Sequence, residues 1–124
     1  MAISKVDTFD LGAFTAISGT PIITEDEVRM SQNDAVVSPA YQLKNTGGRF
    51  KARVALNTLA GLVVSAQGRL GPGDDFHLIT SSVSAGRLSV TPENVMPEMR
   101  IVITKTTVGS VTYSQTGAVC LGEV

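Results

Sequence analysis

The chain has 124 residues, a mass of 13.0 kDa and a net charge of −1. Its hydrophobic fraction of 43% and charged fraction of 17% exclude a disordered tail and suit one domain with a core of its own. A single cysteine, Cys120, excludes an internal disulfide and therefore a secreted disulfide scaffold. We expect a cytoplasmic protein, with no signal peptide and no membrane partner, since no apolar stretch approaches the ~20 residues of a membrane helix.

The first segment of the chain is apolar but irregular. Gly12, Gly19 and Pro21 interrupt any period within residues 1–23. We therefore predict an extended N-terminal arm over residues 1–23, followed by a single β-rich domain over residues 24–124. Apolar surface must be buried somewhere, so we expect the arm to reach a neighbouring molecule. Four side chains would anchor it there: Phe9, Leu11, Phe14 and Ile17.

The next segment, TEDEVRM at residues 24–30, carries a pattern of helix starts. Thr24 followed three residues later by Glu27 is a capping-box spacing. Only about one turn of helix could follow before SQND at residues 31–34. This pattern predicts a short helix or a turn.

The stretch QLKNTGGRFKARV at residues 42–54 predicts a β-hairpin. Apolar and polar residues alternate on both sides of residues 45–48, where asparagine and glycines tolerate positive φ. The apolar spacing over residues 52–66 also fits a helix, so strand and helix both remain open over residues 50–67. The polar face of the predicted hairpin carries four basic residues, namely Lys44, Arg49, Lys51 and Arg53.

Short strand patterns separated by turn residues continue to the end of the chain. The GPGDD turn at 71–75 and the TPENVMPE loop at 91–98 divide them. This spacing predicts an all-β fold, an antiparallel β-sandwich or barrel. The candidate strands are LVVSAQGRL at 62–70, FHLITSSV at 76–83, RLSV at 87–90, MRIVITKTTV at 99–108 and SVTYSQTGAVCLG at 110–122.

The residues that could carry chemistry are few. His77 lies near Asp74 and Asp75, but a second soft metal ligand and the usual ligand spacings are missing. Cys120 in GAVCLG has the pattern of a buried strand residue, and no serine has a nucleophile elbow around it. The glycines of GRLGPG match neither phosphate-binding fingerprint. We therefore predict no enzyme, no metal site and no cofactor.

Charge is segregated along the chain. Residues 1–34 carry a net charge of −4, residues 35–73 carry +5 with no acidic residue, and residues 74–124 carry −2. The basic strand pair could face solvent and pair with acids of its own molecule. It could instead receive the acidic segment of another copy, since complementary patches orient such contacts.

A third interpretation of the basic strand pair is contact with nucleic acid phosphates. The pI of about 5.7 and the small number of aromatic residues speak against it. A carbohydrate- or small-ligand-binding sandwich is a further alternative that fold analogy alone suggests.

The chain as a whole resembles virion structural proteins of bacteriophages and other small viruses, such as coat and head-decoration proteins. Its length and the stretch YQLKNTGGRFKARVAL at residues 41–56 are similar to coat proteins of RNA phages. It departs from those coats after residue 98, where their helices are replaced by strand patterns. The resemblance implies a structural role in a virion assembled in the host cytoplasm. Its partners would be copies of itself and a major capsid or other virion protein.

Overall fold

The protein is nearly all β. The computed structural model describes residues 5–43, 49–82 and 86–123. The structure is 56% strand and 3% helix, which confirms the all-β prediction. Every pairing among the described strands is antiparallel, and the strands form three sheets.

The first sheet has four strands: β1 (Lys5–Phe9), β7 (Phe50–Arg53), β10 (Arg87–Val90) and β13 (Val119–Glu123). Their order in the sheet is β1-β13-β7-β10. Its central strand β7 alternates in burial: Phe50 and Ala52 point into the core, whereas Lys51 and Arg53 point to solvent. This is the period of two that the sequence shows.

The second sheet is the largest and has six strands: β2 (Thr15–Ser18), β5 (Ala35–Val37), β6 (Tyr41–Gln42), β8 (Leu62–Arg69), β9 (His77–Ser82) and β11 (Glu98–Lys105). Their order is β2-β5-β11-β8-β9, and β6 also pairs with β11. Strands β8 and β11 pair over eight residues each. Strand β9 pairs with β8 through one bulge.

The third sheet has the order β12-β4-β3, with β3 at Ile22–Ile23, β4 at Glu27–Ser31 and β12 at Ser110–Ser114. Of the two alternatives predicted for residues 24–30, the helix is wrong, and a turn is present only at residues 24–27, where the backbone N–H of Thr24 donates to the carbonyl of Glu27 at 2.8 Å. Val28 and Met30 of β4 are both fully buried, while Glu27, Arg29 and Ser31, which alternate with them, are exposed. The period-two burial of β4, reinforced by pairing with β12 and β3, overrides the local capping pattern.

One main hydrophobic core contains side chains from all three sheets. The hydroxyl of Tyr41 donates a hydrogen bond of 3.1 Å to Oε1 of Glu123, and both residues are buried. This contact ties the second sheet to the first. Burial, followed by the hydrogen bond to Glu123, raises the pKa of Tyr41. The largest apolar side chains of the core include Leu11, Phe14, Met30, Phe50, Leu62, Met99, Ile101, Tyr113 and Leu121.

The N-terminal segment belongs to these sheets, so the expectation of an extended arm is not confirmed. Strand β1 pairs with β13 over five residues, β2 pairs with β5, and β3 pairs with β4. Between β1 and β2 a short 3-10 helix, Leu11–Ala13, brings Leu11 into the core at 0% exposure. Of the four expected anchors, Leu11 and Phe14 are buried in the domain's own core, Phe9 packs against it, and Ile17 is 48% exposed.

The predicted hairpin around residues 45–48 is also different in the structure. Strand β6 pairs with β11 in the second sheet, whereas β7 pairs with β10 and β13 in the first. A strand has only two hydrogen-bonding edges, and both edges of β7 are occupied. Residues 44–48, the expected turn, lie outside the described residues. The helix alternative for residues 50–67 is wrong, because β7 and the first part of β8 are strands and residues 54–61 between them form no helix.

Candidate binding face

The outward side of the first sheet carries a group of basic side chains, which we call the basic face: Arg49, Lys51, Arg53 and Arg87. Residues on this side lie in two cross-strand rows. The first row runs Thr8, Cys120, Arg53, Arg87, and the second runs Val6, Gly122, Lys51, Ser89. The sheet therefore brings together cations from two distant parts of the chain.

Two arginines of the basic face lie directly opposite each other. Arg53 of β7 and Arg87 of β10 are register partners, and both are exposed. Across the part of the chain that the structure describes, no carboxylate lies within salt-bridge distance of Lys51, Arg53 or Arg87. Like charges opposite each other on a sheet destabilise it. The basic face therefore holds positive charge that an external anion or acidic surface would neutralise.

The basic face surrounds a shallow cavity of about 440 Å³ with an apolar floor. Val6, 46% exposed, and Cys120 are among the residues that line it, together with Lys51 and Arg53. At one end Nη1 of Arg49 donates a hydrogen bond of 3.2 Å to the hydroxyl of Ser89, which orients this guanidinium along the face. An apolar floor inside a cationic rim suits a ligand or partner surface that combines apolar and acidic groups.

Exposed acidic residues gather elsewhere, around β3 and the start of β4. This acidic group comprises Asp10, Glu25, Asp26 and Glu27. Asp10 and Glu25 line a second open cavity of about 550 Å³, together with apolar Phe9 and Ile23. The backbone N–H of Gly12 donates to the carbonyl of Glu25 at 2.9 Å, which connects the two acidic segments. The molecule thus presents two exposed patches of opposite charge.

The candidate metal ligands Asp74 and His77 lie in the turn after β8 and at the start of β9. Among the described residues, no group of three or more His, Cys, Asp and Glu is placed to hold a metal ion. His77 Nε2 lies 3.4 Å from Asp74 Oδ1. Asp74 mainly closes the turn after β8, because the backbone N–H of Leu70 donates to it at 3.1 Å. That hydrogen bond, more than the contact with His77, lowers the pKa of Asp74.

The structure brings together three of the four basic residues that the sequence indicates: Arg49, Lys51 and Arg53. The fourth, Lys44, lies outside the described residues. Sequence reasoning missed Arg87, which comes from the net-acidic part of the chain. Its strand pattern, Arg87 and Ser89 alternating with Leu88 and Val90, is visible in the sequence, but the pairing of β10 with β7 is not.

Comparison with protein-family models and with curated proteins gives no match. In the described part of the chain, no helix has the length and apolar character that crossing a membrane requires. The geometry of the chain itself is therefore the basis for a function.

Proposed function

We propose that the protein is a non-enzymatic structural subunit that assembles with copies of itself. In this proposal it is a coat or decoration component of a phage or virus particle, assembled in the host cytoplasm. A major capsid or other virion protein is a further partner. The three sheets around one core suit a sandwich or barrel-like subunit, which is the architecture that we propose for it.

The observation that supports self-assembly best is the unpaired charge of the basic face. Arg53 and Arg87 lie side by side and have no carboxylate partner in the described molecule. A second copy offers the complementary surface, since Glu25, Asp26 and Glu27 are all exposed. Such a contact joins different patches of two copies, so it can build rings or larger closed assemblies.

Light scattering coupled to size-exclusion chromatography tests this proposal, with a charge-swap design. Lys51→Glu/Arg53→Glu/Arg87→Glu reverses the basic face, since only Arg49 of its four cations remains. Glu25→Lys/Asp26→Lys/Glu27→Lys reverses the acidic group, since only Asp10 of its four acids remains. Each variant alone should remain smaller than the wild-type assembly at low salt, because its two patches carry the same sign. An equimolar mixture should recover assembly, since each copy then supplies a patch that complements the other.

The control is Glu93→Lys, which reverses the charge of one exposed acid outside the acidic group. It should assemble like the wild type. A wild-type protein that stays monomeric over the micromolar range at low salt would rule out self-assembly. Equal behaviour of the two reversed variants and the wild type would rule out the contact between the two patches.

A second candidate function is nucleic-acid binding on the same face, and the opposed arginines favour it. Guanidinium groups on neighbouring strands can contact successive phosphates without reading sequence. Fluorescence anisotropy with single-stranded RNA and DNA tests this function. The logarithm of the binding constant should fall with the logarithm of salt concentration by about 0.7 per phosphate contact. Absence of binding at low salt would leave the self-assembly role alone.

A further inference from the structure

The outward side of the second sheet carries a separate group of polar and aromatic side chains. Arg100 of β11, Gln67 of β8 and Leu78 of β9 lie in one cross-strand row. Glu98 and Arg69 form the adjacent row on the same strands β11 and β8. This group lies on a different sheet from the basic face, so it is an independent surface.

Arg69 is fully engaged by a carboxylate. Its Nε and Nη2 donate to the two carboxylate oxygens of Glu98, each at 3.0 Å. Glu98 is only 6% exposed, and the hydrogen bonds from Arg69 lower its pKa. This pair is a planar, two-point contact of the kind that arginine makes with oxyanions.

Arg100 is oriented by a neutral side chain and an aromatic ring instead of a carboxylate. Its Nε donates to Oε1 of Gln67 at 2.9 Å, and its Cζ lies 3.8 Å from the centroid of the Phe76 ring. The guanidinium of Arg69 contacts the same ring at 4.4 Å. Within residues 5–43, 49–82 and 86–123, no side chain or carbonyl accepts a hydrogen bond from Nη1 or Nη2 of Arg100. The orientation of this arginine is therefore fixed while its outer donors stay open.

The surroundings of Arg100 disfavour its positive charge. Partial burial and then the charge of Arg69 lower the pKa of its guanidinium. Stacking on Phe76 compensates in part, since an aromatic face attracts a cation. An anion at the open donors would compensate further, because attraction between opposite charges is stronger where water is partly excluded.

We propose that Arg100 anchors an oxyanion-binding subsite on the outward side of the second sheet. The bound group is a carboxylate or a phosphate, which accepts hydrogen bonds from the two terminal amino groups of Arg100. Gln67 and Phe76 position the guanidinium. Leu78, 65% exposed in the same row, provides an apolar surface beside the site. The subsite therefore favours a carboxylate that carries an apolar substituent over acetate. It does not depend on self-assembly.

Nuclear magnetic resonance of the arginine Nε–Hε groups tests the subsite in the whole protein. Sodium acetate, sodium hexanoate and inorganic phosphate are titrated separately, with chloride keeping the ionic strength constant. The resonance that disappears in Arg100→Lys identifies Arg100. It should shift saturably, and hexanoate should reach half-saturation at a lower concentration than acetate. The order of acetate and phosphate then distinguishes a planar carboxylate from a tetrahedral phosphate as the natural ligand.

Two variants test whether binding depends on the orientation of the Arg100 guanidinium or only on its positive charge. Arg100→Lys keeps the charge but loses the planar pair of donors, so binding followed on backbone amides should weaken about tenfold. Gln67→Leu removes the hydrogen bond that orients Arg100 and should weaken binding less. Arg29→Lys, on β4 of the third sheet, is the matched control and should bind like the wild type.

Unchanged affinity in Arg100→Lys would overturn the proposal, as would a wild-type shift that grows linearly without saturation. A thermal melt of each variant shows whether it is folded. If Arg100→Lys does not fold, Gln67→Leu decides: wild-type affinity in folded Gln67→Leu would overturn the proposal.

Discussion

The outward sides of the first and second sheets both carry arginines, but the groups that surround these arginines differ. On the second sheet Arg69 pairs with Glu98, and Arg100 is held by Gln67 and Phe76. On the first sheet Arg53 faces Arg87 with no carboxylate beside either among the described residues. The Arg69–Glu98 pair contributes to the fold, and Arg100 beside it keeps its outer donors open. Arg53 and Arg87 of the first sheet instead repel each other, which costs stability. An exposed cation without a carboxylate partner in its own molecule is therefore a better indicator of an interaction surface than a cation in an ion pair.

The largest change in the free energy of unfolding is expected from a substitution in the core beneath both faces. Phe14 is 2% exposed and packs in this core, so Phe14→Ala should cost about 3–5 kcal/mol in the free energy of unfolding. Ile17→Ala, three residues later and 48% exposed, is the control and should change stability little. Urea denaturation followed by circular dichroism measures both.

Equal stability of Phe14→Ala and Ile17→Ala would show that residues 5–14 pack on the domain only loosely. Such a result would restore the idea of an arm that reaches another molecule.

The next largest effect concerns the paired charges of the second sheet. Glu98→Gln leaves Arg69 without its carboxylate, so the melting temperature should fall at pH 7. The pKa of Glu98 lies below its ordinary 4.5 in the folded protein, so its contribution is complete above that pH. It is lost as the pH falls through the lower folded value. Thermal melts between pH 7 and pH 3 should therefore show the difference between wild type and Glu98→Gln shrinking.

The exposed acid Glu93 is the control for this pH series. Glu93→Gln should melt like the wild type at every pH. A difference between wild type and Glu98→Gln that does not change from pH 7 to pH 3 would contradict the proposed stabilisation by the ionised carboxylate.

A smaller effect of opposite sign is expected on the first sheet. Arg53→Glu converts a repulsive cross-strand pair with Arg87 into an attractive one, which should raise the free energy of unfolding by roughly 0.2–1 kcal/mol. The same change should weaken assembly or nucleic-acid binding. Arg29→Glu is the control, because Arg29 faces Ile22 and Thr112 and no cation. Urea denaturation and light scattering on the same samples would show whether stability and association move in opposite directions.

A destabilised Arg53→Glu variant would mean that Arg53 serves the fold, and the contrast between the two faces would fail.

The smallest effect is the response to salt. Ions screen exposed charges, so raising the salt concentration should stabilise the wild type by a few tenths of a kcal/mol through Arg53 and Arg87. Arg53→Gln, which removes one of the two charges, should lose most of this salt-dependent gain. Urea denaturation at low and moderate sodium chloride measures the difference, and an identical salt response in both proteins would contradict it.

Much of the basic face follows from local patterns in the sequence. Lys51 and Arg53 alternate with Phe50 and Ala52, which predicts a strand with one apolar and one basic side, and β7 has this form. The partner strand could not be predicted in this way. Leucine and valine of β10 mark a buried side, but the pattern does not say that Arg87 comes to lie opposite Arg53.

The N-terminal segment shows where local patterns are insufficient to predict the fold. Gly12 breaks the period of two, and the resulting irregularity suggested a segment outside the domain. In the structure the irregular stretch is a short 3-10 helix that turns Leu11 and Phe14 into the core. The backbone N–H of Leu11 donates to Oε1 of Gln115 at 2.7 Å, a partner 104 residues away. Burial there depends on β13 and on the end of β12, which no local window contains.

The sequence by itself determined that the protein is β-rich. Wherever a segment is a strand, the sequence also determined which of its side chains share a face, because the side-chain direction alternates with every residue of a strand. Only the tertiary structure decided which strands are neighbours. Backbone hydrogen bonds between strands are chemically alike for all residues, so pairings such as Val6 with Gly122 or Arg53 with Arg87 follow from how the whole core packs. The basic face exists because that packing places two basic strands side by side.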